Sequence, residues 1–115
     1  MQLNINGTDC ELNFGVQFVR ELDKVAGMEL SIQGQNQNFG MGLVKTLPAL
    51  QGFDPAVLSD VVYCACWPNK KRPSRKDVDA FIDDQNTDLE QVFKDVLVEM
   101  KNANGVKLAT KNLQA

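Results

Sequence analysis

Cys10, Cys64 and Cys66 are the strongest nucleophiles and softest metal ligands in the chain, and no histidine accompanies them. A tetrahedral zinc site needs four donors, so Cys64-Ala65-Cys66 would have to borrow carboxylates or a second chain. On a helix those two side chains also point about 200° apart. They read as small buried thiols, the usual fate of free cysteine, and no metal site is assigned. The acids Asp83, Asp84, Asp88 and Glu90 lack the spacing and central glycine of a calcium loop and read as a solvated helix face. Catalysis finds no base tuned near neutrality, no GxSxG, no P-loop and no dinucleotide fingerprint. Gly40-Met41-Gly42 has neither the third glycine nor the preceding strand that nucleotide binding requires. No catalytic residue and no cofactor is assigned, and the chain is not expected to be an enzyme.

The second cluster is PNKKRPSRK, 68–76, where Lys70, Lys71, Arg72, Arg75 and Lys76 fall together. It carries two possible functions. One is a small nucleic-acid-binding regulator acting through 70–76, whose affinity would fall steeply with salt. The other is the charged lip of a helix, serving as an interaction surface. Asp77, Asp79, Asp83, Asp84, Asp88 and Glu90 follow with no intervening cation, and the net charge is −3 with a pI near 4.8. Adjacent blocks of opposite sign cancel at a distance, which weakens steering of a polyanion. Single-strand readers also set stacking rings beside their basic groove, and Trp67 is the one ring nearby. The charged lip is the better reading.

The elements that position these groups follow from periodicity. At 115 residues the chain is expected to form a single domain, 1–115. Residues 1–14 read as a β-hairpin turning at Asn6-Gly7, which sets Leu3 opposite Cys10 and Ile5 opposite Thr8, so both apolar faces coincide. Residues 16–26 switch to the helical period, with Phe18, Val19, Leu22, Val25 and Ala26 on one side and Gly27 placed to end the helix. The polar stretch 28–42 reads as a long mobile loop. Residues 43–51 form a short helix that Pro48 either kinks or splits.

Asp54-Pro55 then starts the most apolar helix, expected to be central, and Trp67-Pro68 ends it. Ser74-Arg75-Lys76-Asp77 has the spacing of a capping box for a helix over 75–84, and Thr87 is the expected N-cap of the next. Past Asp88, Leu89, Phe93, Val96, Leu97, Met100 and Ala103 keep an i, i+3/i+4 stripe. Gly105 weakens it, leaving 106–115 as a second helix or a frayed extension. The fold class is α+β: an N-terminal hairpin, then about five helices over 15–115.

The stripe has two readings. It is buried in its own domain, or it docks a partner's helix. In the second case Leu89, Phe93, Val96, Leu97 and Met100, with Phe39 and Met41 of the loop, are the partner-binding residues. The opening MQLNINGTDCEL has neither the basic nor the apolar region of a secretory signal, and no apolar run is long enough to cross a bilayer. Membrane and nucleic acid are not expected among the partners.

LNINGTDCELNFGVQFVRELDKVAGM, FGMGLVKTLPALQGFDPAVLSDVVYCACW, KRPSRKDVDAFIDD and LEQVFKDVLVEMKNANGVKLATKNLQA together resemble the tail assembly chaperones of long-tailed phages and prophages of Gram-positive bacteria. The likeness spans essentially the whole chain in order. The polar run GQNQN, 34–38, departs from the family's pattern. The resemblance implies a non-enzymatic helper in the host bacterial cytoplasm, absent from the mature virion. It would bind the tape measure protein and help recruit the major tail protein, the latter through a longer frameshifted form. Self-association is expected as well.

Overall fold

The computed structural model describes residues 1–26 and 41–111. Strand β1, Gln2–Ile5, pairs antiparallel with β2, Thr8–Glu11, in the expected register: Leu3 faces Cys10 and Ile5 faces Thr8. Asn6 and Gly7 take left-handed φ of 54° and 78°, the backbone a two-residue hairpin turn demands. Ile5, Cys10, Leu12 and Phe14 are buried on one face, with Met1 and Leu3 packed at its margin.

Six helices follow among the described residues. They are α1, Val16–Ala26; α2, Met41–Gln51; α3, Pro55–Ala65; α4, Arg75–Asp83; α5, Leu89–Asn102; and α6, Asn104–Lys111. The loop expected over 28–42 lies outside the described residues as far as residue 40, as does the Gly27 cap. Its last two residues belong instead to α2, which starts at Met41 and continues through Pro48 as one helix.

Local signals place three of the six helix starts. The Asp54 carboxylate accepts from the backbone of Ala56 and Val57 with Pro55 at the first helical position, a cap worth about 1 kcal/mol. Ser74 and Asp77 form the reciprocal capping box. One cap shifts by a residue: Asp88, not Thr87, caps α5 by accepting from Gln91 N–H. Thr87 is occupied elsewhere, its hydroxyl donating to Phe81 O at the end of α4. The break before α6 falls at Ala103, and Gly105 sits inside the helix.

The packing centre also differs from expectation. α3 is buried through Leu58, Val61, Val62, Cys64 and Ala65, yet α2 is the element that packs against α1, α3, α5 and α6. Leu43, Leu47 and Leu50 supply its apolar surface, and Gly42 lets α1 come close. On α1, Phe18, Val19 and Leu22 are buried, whereas Val25 is exposed.

Candidate functional site

The three cysteines are free and buried. Burial pushes Cys64 and Cys66 up to about 12 and raises Cys10 as well. Protonated, enclosed thiols are poor nucleophiles and poor ligands. Among the described residues no three groups of histidine, cysteine, aspartate or glutamate come together to hold a metal. In native protein at pH 8, alkylation of all three thiols is expected to be negligible, while denaturant releases all three; mass spectrometry of iodoacetamide-treated samples checks it. The raised values also carry a sign for stability. Between about 9 and about 12 the unfolded chain has lost protons that the folded chain retains, so stability falls as pH rises through that window.

The basic cluster is divided by the fold. Arg72 reaches 51 positions back to Glu21 on α1, Nη2 to Oε1 at 2.6 Å, and also donates to Tyr63 O at 2.7 Å. Its guanidinium lies 4.1 Å from the centre of the Tyr63 ring. Arg75 pairs with Asp60 and lies 5.0 Å from the same ring. Two cations stacked on one tyrosine each gain about 0.5–2 kcal/mol, depending on how dry the contact is. The carboxylates that neutralise them are Glu21 and Asp60, not the acids that follow in sequence. Arg72 and Arg75 therefore clasp α1, α3 and the loop before α4; Arg75 stays exposed while paired, and Lys70, Lys71 and Lys76 are exposed as well.

The apolar stripe of α5 is filled by the chain itself. Phe93 is only 2% exposed, Val96 and Met100 are buried, and Leu89 and Leu97 are half-buried against the core. Val92, expected near the stripe's edge, is buried too. Phe39 lies outside the described residues, and Met41 contributes its backbone to the first turn of α2.

What sequence reasoning missed is Phe53. Its backbone is left-handed, φ 61°, in the turn joining α2 to α3. Its N–H donates to Leu50 O, closing the end of α2, while Asp54 N–H donates to Ala49 O. The ring meets Phe93 edge to face at 5.3 Å between centroids, yet remains 49% exposed. A bulky residue rarely occupies that backbone region, so the turn holds a partly wet ring at a conformational cost. The signal was available: a phenylalanine wedged between Gly52 and the N-cap Asp54 has no helix face on which to bury itself.

The family model for phage tail assembly chaperone protein, TAC, matches residues 2–114. The chain belongs to that family. No curated protein and no solved structure matches it. As a tail assembly chaperone, it takes tail proteins as its general class of partner. No helix of this chaperone, among the described residues, is long and apolar enough to cross a membrane.

Proposed function

We propose that this chaperone binds the tape measure protein in the host cytoplasm, keeps it soluble, and helps recruit the major tail protein before leaving the finished particle. The observation that carries the reading is Phe53. An exposed aromatic ring, set on a hydrogen-bonded turn and backed by buried Phe93, has the form of an anchor for the apolar face of another chain's helix. Half-buried Leu89, one turn before Phe93 on α5, lies on the same side of that helix. On this reading the partner surface lies at the outer margin of the α5 stripe, whose body is buried in the core.

Phe53→Asn tests the surface without dismantling the fold. Asparagine tolerates left-handed backbone better than phenylalanine, which offsets loss of a ring contact worth about 0.5–1.5 kcal/mol. The melting temperature of the isolated variant is expected to stay within a few degrees of the parent. Co-expressed with the tape measure protein of the same phage, the parent is expected to keep that protein soluble and to co-purify with it. The variant is expected to lower the soluble complex at least fivefold. Undiminished complex with the variant sinks the Phe53 surface; failure of the parent to hold the tape measure protein sinks the function.

A further inference from the structure

The two edges of the hairpin are finished differently. Leu12 N–H donates to Met1 O at 2.8 Å, and the register pairs Leu3 with Cys10 and Ile5 with Thr8. Alternation along an antiparallel ladder then turns the N–H and C=O of Gln2 and Asn4 away from β2. The outer edge of β2 is closed at Glu11 by the Asn69 side-chain amide, which imitates a neighbouring strand. Its Oδ1 accepts from Glu11 N–H at 3.0 Å and its Nδ2 donates to Glu11 O at 2.8 Å. Among the described residues nothing closes Gln2 or Asn4 in this way. An open strand edge is a template for another extended chain.

That edge runs past two grooves. One, of about 270 Å³, lies between the hairpin turn and α4 and is lined by Asn4, Asn6, Asp77, Phe81 and Asp84 among others. The second, of about 280 Å³, lies between β1 and α5 and is lined by Met1, Gln2, Leu3, Asp95, Val98 and Glu99. Each offers apolar surface, Phe81 in the first and Leu3 with 59%-exposed Val98 in the second. Each also carries two carboxylates, and no lysine or arginine lines either. The amino group of Met1 lies 3.7 Å from Glu11 Oε1.

These features select the occupant. A second copy would bring acidic walls against acidic walls, and its own β1, QLNI, has no charge to neutralise them. We propose that the free edge of β1 takes up an extended segment of a partner protein in which apolar and basic residues alternate, adding a third strand to the hairpin. Main-chain hydrogen bonds to Gln2 and Asn4 would set its register. The carboxylates would choose its charge, and Phe81, Leu3 and Val98 would receive its apolar side chains. The inference stands apart from the tape measure reading, because it uses a different surface and a different partner conformation.

The test is a capped Lys-Val-Lys-Val-Lys-Val peptide titrated into nitrogen-15-labelled full-length protein. Saturable shifts centred on the Gln2 and Asn4 amides are expected, with at least tenfold slower hydrogen exchange at both. The same peptide N-methylated at alternate residues, which cannot donate along the edge, is expected to lose binding at least tenfold, as is its Glu-Val counterpart. Asp84→Lys with Glu99→Lys leaves one carboxylate and one lysine in each groove and is expected to erase the preference between the Lys and Glu peptides. Undiminished binding of the N-methylated peptide, shifts that avoid β1, or no binding at millimolar peptide overturns the proposal. So does concentration-dependent protection of Gln2 and Asn4 without peptide, which would make a second copy the occupant. The peptide arms use the unmodified protein, so they decide the matter even if the charge-reversed variant folds poorly.

Discussion

Phe93→Asp is expected to abolish the cooperative thermal transition of the isolated protein. Phe93 is 2% exposed and stands beside buried Val92 and Val96 on α5. Removing a buried phenylalanine costs about 3–5 kcal/mol in lost transfer energy and cavity. A carboxylate in its place, with no cation in the core around it, either stays charged in a dry site or takes up a proton at further cost. The sum approaches the whole stability of a domain this size, about 5–15 kcal/mol. Circular dichroism on heating reads the result directly. A sharp transition surviving in Phe93→Asp would mean that the α5 stripe faces out and is open to a partner after all.

The second large effect is one of sign. Glycine-to-alanine exchange inside an open helix ordinarily stabilises by up to about 1 kcal/mol. At Gly42 a Cβ would lie 2.8 Å from Leu22 O, 2.9 Å from Leu22 C and 3.1 Å from Asp23 N. These are backbone atoms of α1, so relief requires the helix itself to move. The same approach lets Gly42 N–H donate to Asp23 Oδ1 at 2.8 Å, tying the start of α2 to α1. Gly42→Ala is therefore expected to destabilise by about 2–3 kcal/mol, in the range of overpacked sites, lowering the melting temperature by roughly 10 °C. Gly105→Ala is the control, because its Cβ would meet only Val19 Cγ2 at 3.8 Å, an ordinary contact. That variant is expected to gain about 0.5 kcal/mol. Should both substitutions move stability in the same direction, the close crossing of α1 and α2 is not the reason for glycine at 42.

Gly42 shows why the helix packing was hard to read. Its residue type is visible, but the stretch before it is rich in glycine, asparagine and glutamine, so the sequence places it with the loop. Only the neighbouring helix shows that a side chain there would collide. Val25 errs in the opposite direction: it keeps the helical period of Phe18 and Leu22 yet stays 40% exposed, because periodicity states which residues share a face and not where the covering elements stop. Thr87 and Asp88 are both good caps, and the choice fell to Asp88 once the Thr87 hydroxyl had Phe81 O to bond.

What the sequence by itself determined lies within a few residues of the chain. The Asn6-Gly7 turn, the hairpin register, the Asp54-Pro55 start and the Ser74–Asp77 capping box close hydrogen bonds whose partners are near neighbours, so residue type and spacing specify them. Tertiary structure alone decided that Arg72 and Arg75 answer to Glu21 and Asp60, that Phe93 belongs to its own core, and that Phe53 stays half in water. It also decided that Asn69 closes the outer edge of β2 at Glu11, while among the described residues nothing does the same for β1 at Gln2 or Asn4. Those outcomes turn on which surfaces meet across long stretches of chain, and burial and charge pairing depend on that meeting rather than on local order.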